Sequence, residues 1–161
     1  MTNPLQIHAV LGELPDEMLK IVGPSEFAGG RYPLERCVLD LRALPRTMTE
    51  ALRQLRFAGF LADTPEVLDV HHNAIYVPGD SEGTIGPGDV IEVLPARSQV
   101  AVRYRRGENG NLLFTTERCN NYCLMCSQPP RNVEDEWRLT QLRQLVELIE
   151  PDEPDLAISG G

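Results

Sequence analysis

Residues 111–126 read Asn-Leu-Leu-Phe-Thr-Thr-Glu-Arg-Cys-Asn-Asn-Tyr-Cys-Leu-Met-Cys, a short apolar segment that runs directly into three closely spaced cysteines. The cysteines are Cys119, Cys123 and Cys126. Thiolates are soft, polarisable ligands, and iron–sulfur clusters are held by closely spaced cysteines of this kind. Three such ligands on a four-iron cluster leave one iron without a protein ligand, which is the arrangement that a chelating small molecule needs.

Two other uses of these cysteines fit the pattern less well. A disulfide framework is uncommon in a cysteine-poor chain that is expected to stay in a reducing compartment. A structural zinc site needs four ligands, and no fourth cysteine or histidine lies near the three in sequence. Cys37, or one of His71 and His72, could complete a zinc site by folding back towards them, so zinc stays open as an alternative.

The segments around the cysteines predict a βαβ unit. Residues 111–116 form a candidate buried strand, residues 133–150 carry apolar side chains at helical spacing, and residues 155–159 form a second buried strand before Gly160-Gly161. Strand, helix and strand in this order predict two parallel strands. Two parallel strands and one helix cannot cover both faces of their sheet, so we expect the sequence to be part of a longer protein.

Residues 1–110 are expected to form a separate, small α+β accessory or recognition domain. The boundary is placed at Gly107-Glu108-Asn109-Gly110, the strongest turn signal in the chain. Strands are predicted at residues 5–11, 37–39, 74–77, 90–94 and 100–104, short helices at residues 15–22 and 47–58, and a glycine-rich hairpin turn at residues 80–89.

Composition excludes some classes of function. The formal net charge of -9 argues against nucleic acid as an obligate partner. The sequence holds no long uninterrupted apolar run, so no membrane span is predicted. Residues 1–13 lack the basic segment of a signal peptide, and a cytoplasmic location is therefore expected.

The cysteine pattern resembles that of the radical S-adenosylmethionine (radical SAM) superfamily, in which a cysteine triplet with this spacing follows the first strand. The Ser159-Gly160-Gly161 end is similar to the start of the glycine-rich turn after the second strand of that family. The sequence of residues 116–131 resembles that of the radical SAM maturases of the His-Xaa-Ser peptide-modification system. It reads Thr-Glu-Arg-Cys-Asn-Asn-Tyr-Cys-Leu-Met-Cys-Ser-Gln-Pro-Pro-Arg. The sequence is accordingly expected to be an N-terminal fragment of such an enzyme.

The resemblance implies a fold, two cofactors and a set of binding residues. The fold would be a partial TIM-type (β/α)6 barrel, of which residues 111–161 are the first βαβ unit. The triplet Cys119, Cys123 and Cys126 would ligate a [4Fe-4S] cluster, and S-adenosyl-L-methionine would chelate the fourth iron. Gly160 and Gly161 would contact the amino group of that cofactor. Met125 stands where the family usually has an aromatic residue, and a methionine is apolar and adaptable enough to pack on adenine.

The resemblance also implies a reaction and partners. Reductive cleavage of S-adenosylmethionine would give a 5′-deoxyadenosyl radical for the post-translational modification of a ribosomal peptide with His-Xaa-Ser repeats; no side chain is assigned a catalytic role. A second radical SAM maturase protein and an electron donor such as flavodoxin or ferredoxin would be partners. The alternative function is a peptide- or partner-binding module in which the cysteine loop holds only a structural zinc.

Overall fold

The structure is a computed structural model that describes residues 5–52, 54–69, 71–79, 84–126, 130–153 and 155–160. The chain divides into two compact units, Met1–Arg106 and Gly107–Gly161. The division falls at the first residue of the turn in which the sequence analysis places its boundary. Among the described residues, no helix combines the length and the apolar character that crossing a membrane requires.

The first unit is built around one mixed sheet. Its described residues contain eight strands: β1 (Leu5–His8), β2 (Val10–Leu11), β3 (Met18–Val22), β4 (Cys37–Asp40), β5 (Gly59–Ala62), β6 (Ala74–Tyr76), β7 (Val90–Leu94) and β8 (Gln99–Tyr104). Two short helices, α1 (Pro24–Ala28) and α2 (Arg46–Leu52), accompany them, with 3₁₀ turns at Leu34–Arg36, Pro65–Asp69 and Pro95–Arg97. The strand order is β1-β8-β7-β3-β4-β5-β6-β2. The strands β3, β4, β5 and β6 run parallel, and the other neighbouring pairs are antiparallel.

The sheet curls until its two edges approach each other. The edge strands are β1 and β2, yet only Ala9 separates them along the chain. One residue spans at most about 3.6 Å, so the two edges must lie close together. Ala9 is fully buried, and its N–H donates to Ser98 O at 3.0 Å beside β8. The first unit is therefore a nearly closed barrel.

Successive strand residues alternate between two apolar clusters, as the two-residue period of a strand requires. Leu19 and Ile21 of β3 and Val38 of β4 belong to the cluster inside the curled sheet. Val22 and Leu39, their neighbours along the same strands, belong to a second cluster that is covered by partly buried side chains. The covering side chains are Phe27, Tyr32, Leu34, Leu44, Leu52, Leu55 and Val67.

Two predictions for the first unit are wrong. Residues 15–22 were expected to be helical, but residues 18–22 form the central strand β3, which is buried along its whole length. Five mostly apolar residues do not distinguish helix from strand by periodicity, and the pairing of β3 with β4 and β7 establishes the strand. The glycine-rich stretch at residues 80–89 was expected to close a hairpin, but β6 and β7 on either side of it are not neighbours in the sheet.

The second unit is a βαβ arrangement. Strand β9 (Leu112–Phe114) pairs in parallel with β10 (Ala157–Ser159), and α3 (Trp137–Leu148) lies between them in sequence. Its buried apolar side chains in the described part are Leu113 on β9 and Leu145, Leu148 and Ile149 at the end of α3. The (β/α)6 barrel to which such a unit would belong stays a prediction.

Candidate metal centre

The three predicted ligands lie on one connection, the cysteine loop (residues 115–136), which joins β9 to α3. Because β9 and β10 are parallel, their carboxyl ends lie at the same edge of the sheet. The loop starts at this edge, where the backbone N–H and the hydroxyl of Thr115 both donate to Ser159 O, at 2.8 and 3.0 Å. The predicted cofactor residue Gly160 therefore lies beside the first residues of the cysteine loop.

Gly160 has a packing role at this edge. Its φ of +146° lies in the region that only glycine adopts readily, and a Cβ atom there would lie 2.5 Å from Thr115 Oγ1 and 2.8 Å from Thr116 N. The close approach of two strand ends thus requires a glycine. Its contact with S-adenosylmethionine stays a prediction, and Gly161 lies outside the described residues.

The loop cysteines are free thiols with different exposure. Cys119 is half-buried, whereas Cys123 and Cys126 are exposed, and none forms a disulfide. The Asn121 N–H donates to Cys119 Sγ at 3.5 Å, and the Cys126 N–H donates to Cys123 O at 3.0 Å across a turn. Backbone N–H donors to a sulfur are among the features that tune an iron–sulfur cluster.

The structure places the three cysteines in one loop but does not gather their sulfurs. Within the described residues, no three His, Cys, Asp or Glu side chains lie close enough together to hold a metal ion. The donor set nevertheless fits an iron–sulfur cluster in type and number. It consists of three free thiols on one loop, two of them already exposed, and thiolate is the ligand type that such clusters take.

The two ends of the cysteine loop are fastened together by a set of side chains that we call the loop neck: Thr116, Glu117, Arg131, Asp135 and Arg138. The buried Asp135 carboxylate accepts the Thr116 hydroxyl at 2.8 Å and the Glu117 N–H at 2.6 Å, both through Oδ2. Burial alone would raise the pKa of Asp135. The hydrogen bonds from Glu117, Thr116 and the Arg118 N–H, together with the Arg118 charge, outweigh burial and lower that pKa below the ordinary value.

Glu117 joins the start of the loop to its end and to α3. One carboxylate oxygen of Glu117 accepts from Arg138, and the other accepts from Arg131 at 3.3 Å. The Cys119 N–H donates to Arg131 O at 3.0 Å, so the backbone closes the same neck. The Arg138 guanidinium in turn lies 5.1 Å from the Phe114 ring centroid and 4.5 Å from the Trp137 ring centroid.

The lowered pKa of Asp135 predicts an acid-dependent stability of the second unit. An aspartate whose folded pKa lies below its unfolded pKa contributes stability above the unfolded value, and this contribution is lost as pH falls through the folded value. We therefore expect the urea midpoint of the second unit to fall as pH drops below the ordinary 3.8. Trp137, the single tryptophan of the chain, reports unfolding of this unit by fluorescence. In Asp135→Asn the same acid-dependent loss should be smaller, and an unchanged loss would contradict the assignment.

The tip of the cysteine loop is apolar and exposed. Met125, predicted to pack on adenine, is 96% exposed, and the neighbouring Tyr122 and Leu124 are exposed as well. The sequence analysis assigned no role to Tyr122 or Leu124. Their signal was available in the sequence, since neighbouring apolar side chains that are exposed together often mark a binding surface.

The residues that could complete a zinc site lie in the core of the first unit or on its surface. Cys37 is buried in β4, and His71 is buried with its ring 4.3 Å from that of Phe60, whereas His72 is exposed. Burial raises the pKa of Cys37 to about 11, against the opposing charges of Lys20 and Arg36. Recruiting Cys37 as a fourth ligand would require displacing the side chains that cover the second apolar cluster of the first unit.

The contrast between Cys37 and the loop cysteines predicts selective alkylation. At pH 8 a thiol with a pKa of about 11 is ionised in roughly one molecule in a thousand, and only the thiolate reacts. We expect iodoacetamide to modify Cys119, Cys123 and Cys126 in the folded chain and Cys37 only after unfolding in urea. Peptide mass spectrometry measures this directly. Equal modification of all four in the folded chain would show that Cys37 is accessible.

No family model matches the chain, and no curated protein or solved structure is significantly similar to it. The assignment of a function therefore depends on the residues of the cysteine loop and on the geometry around them.

Proposed function

We propose that the chain is part of a radical SAM enzyme that modifies a ribosomal peptide and that its cysteine loop holds a [4Fe-4S] cluster. The observation that carries the proposal is the position of the cysteines: three free thiols follow the carboxyl end of a strand that is paired in parallel with the next strand of a βαβ unit. In barrels built from such units, active sites lie at the carboxyl ends of the strands.

The residues of the loop have distinct roles in this proposal. Cys119, Cys123 and Cys126 hold three irons, and the Asn121 N–H stabilises negative charge on the Cys119 sulfur. A cluster held by these three cysteines would supply one electron, received from the electron donor, for the reductive cleavage of S-adenosylmethionine to methionine and a 5′-deoxyadenosyl radical. Met125 covers adenine with an adaptable apolar side chain, and Gly160 keeps the second strand end close to the loop. The cofactor carries the reactive chemistry, while the protein positions it and keeps water away.

The peptide substrate, a second maturase protein and a flavodoxin- or ferredoxin-like electron donor remain part of the proposal. They rest on the resemblance of residues 116–131 to the radical SAM maturases of the His-Xaa-Ser peptide-modification system. The first unit is the candidate for recognising a leader peptide or a partner, because its barrel carries none of the loop cysteines and folds as a separate compact unit.

The competing function is a binding module with a structural zinc. It is disfavoured because a structural zinc site takes four protein ligands, and of the candidates for the fourth, Cys37 and His71 are buried in the first unit. The test is to incubate the oxygen-free chain with ferrous iron and sulfide in the presence of equimolar zinc, followed by analysis of bound metal and labile sulfide. We expect about four irons and four sulfides per chain. Because thiolates bind zinc more tightly than ferrous iron, the same incubation is repeated without zinc. Zinc bound in the mixture, together with no uptake of iron and sulfide when zinc is left out, would overturn the iron–sulfur proposal and favour the binding module.

A further inference from the structure

The loop neck places one side chain, Glu117, where it can control the first ligand. Glu117 lies two residues before Cys119, and it is held by the backbone and by both of its carboxylate oxygens. We propose that Glu117, bridged between Arg131 and Arg138, is a positioning residue that fixes Cys119 relative to Cys123 and Cys126. This inference rests on the proposed function, because it concerns how the same loop presents its thiols to a cluster.

The bridge connects the start of the loop, the end of the loop and the helix α3. Arg131 belongs to the end of the loop and receives the Cys119 N–H on its backbone oxygen. Arg138 belongs to α3, and its guanidinium lies over the rings of Phe114 on β9 and Trp137 on α3. Glu117 therefore links the strand β9, the end of the loop and the helix α3 to the segment directly before Cys119.

Glu117 and its partner Arg138 are largely withdrawn from water. Side-chain exposure is 22% for Glu117 and 20% for Arg138, so their ion pair is largely withdrawn from water, whereas Arg131 is 47% exposed. A planar guanidinium held between two aromatic rings has few alternative orientations. Preorganisation of this kind reduces the conformational entropy that must be lost when three ligands are brought to one cluster.

The neck fixes one ligand and leaves two adaptable. Cys119 is half-buried next to the neck, whereas Cys123 and Cys126 are exposed beyond it. The sulfurs are not gathered in the present structure, and convergence requires the outer part of the loop to move towards a fixed Cys119. The role of Glu117 is thus to supply the fixed point, and it acts through Cys119 without contacting the cluster.

The test measures the alkylation rate of each loop cysteine in the cluster-free chain, by iodoacetamide pulses and peptide mass spectrometry. The variants are Glu117→Gln, Arg138→Gln and the double variant, with Glu134→Gln as the matched control. Glu134 is an exposed carboxylate of the same loop that accepts the Glu136 N–H and takes no part in the neck. Arg138→Lys, which retains the positive charge, serves as a conservative variant for rescue.

Opening the neck is expected to increase the rate at Cys119 several-fold while the rates at Cys123 and Cys126 stay unchanged. The double variant should give the same Cys119 rate as Glu117→Gln alone, because both arms of the bridge end on the Glu117 carboxylate. Arg138→Gln, which leaves the Arg131 arm in place, should give an increase no larger than that. Glu134→Gln should match the wild type, and Arg138→Lys should restore part of the protection, because it keeps the charge but loses the planar guanidinium over the rings. If Glu117→Gln lowers the urea midpoint of the second unit, the Cys119 alkylation rate is measured in Arg131→Gln instead. This variant removes only the exposed Glu117–Arg131 ion pair and is expected to keep the wild-type stability.

Unchanged Cys119 rates in these variants, or equal increases at all three cysteines, would overturn the positioning role. Reconstitution with iron and sulfide then provides a second, spectroscopic readout: the EPR signal of the reduced cluster should be altered in Glu117→Gln and not in Glu134→Gln. Because the alkylation rates need no cluster, they also separate the two proposals. A chain that takes up no iron contradicts the proposed function, while the thiol rates still decide the role of Glu117.

Discussion

Replacing Cys123 with alanine is expected to abolish cluster binding. The three loop cysteines are the complete set of thiols near the carboxyl end of β9, and the remaining cysteine, Cys37, is buried in the barrel of the first unit. With two thiolates left, a cubane cluster loses a protein bond that no described neighbour replaces. We expect iron bound after reconstitution to fall to roughly a tenth of the wild-type amount or less, because even outer-shell partners of metal ligands are worth 10–100-fold in affinity.

The series Cys119→Ala, Cys123→Ala and Cys126→Ala should behave alike, and Cys37→Ala is the matched control. Cys37 belongs to the second apolar cluster of the first unit, so its replacement changes packing there and leaves the loop thiols intact. Iron and labile sulfide are measured per chain after removal of unbound reagents. Wild-type loading in any one of the three loop variants, or its loss in Cys37→Ala, would contradict the assignment of the ligands.

Replacing Gly160 with alanine is expected to cause the largest loss of stability in the second unit. The new Cβ would lie 2.8 Å from a backbone nitrogen, Thr116 N, and the residue would also have to keep a φ of +146°. Backbone strain and the contact together should lower the free energy of unfolding by on the order of 2–3 kcal/mol. A unit of this size has little stability to lose, so we expect partial unfolding at ambient temperature.

Gly110 supplies the control for this prediction. It has a φ of +110° in the same unit, but a Cβ there meets no atom within 4 Å. Gly110→Ala therefore tests strain without the contact, and we expect a loss of about 1 kcal/mol. Urea unfolding followed by Trp137 fluorescence measures both variants. Equal losses for the two would mean that the close approach of Gly160 to the cysteine loop does not contribute.

The order of elements in the second unit could be predicted, but their ends could not. The sequence predicted a strand at residues 111–116, a helix at residues 133–150 and a strand at residues 155–159, and the structure has β9, α3 and β10 within those ranges. The second strand was expected to be buried, but β10 is exposed along its length. The helix α3 starts at Trp137, four residues later than predicted, and the Asp135 carboxylate just before it accepts a hydrogen bond from Glu117 at the start of the loop. A long-range hydrogen bond of this kind leaves no periodic signal in the sequence.

The topology of the first unit was not predictable from local patterns. The predicted strand at residues 5–11 is split at Ala9 because the chain passes from one edge of the sheet to the other. The burial of Lys20, the only lysine, could not be predicted from the sequence. Its Nζ lies near the rings of Tyr32 and Tyr104 and donates to Gly88 O at 2.7 Å. These features depend on which strands pair, and pairing joins residues far apart in the chain.

The candidate site shows the same division between local and long-range information. The three cysteines could be named from their spacing, since ligands of one cluster lie on one loop, whereas Met125 was named only from the resemblance to the radical SAM pattern. The loop neck could not, because Asp135 and Arg138 meet Glu117 only after β9 and α3 have packed. Sequence spacing therefore predicts which residues can bind a cluster, and the fold determines how they are held.

The most direct test of the central proposal is low-temperature EPR spectroscopy of the chain, reconstituted without oxygen and reduced with dithionite, before and after addition of S-adenosylmethionine. The open-iron cluster predicts a [4Fe-4S] signal whose g values shift when the cofactor is added, because the cofactor becomes a ligand of the iron that lacks a cysteine. A cluster signal that S-adenosylmethionine leaves unchanged, or the absence of any cluster signal, would contradict the account.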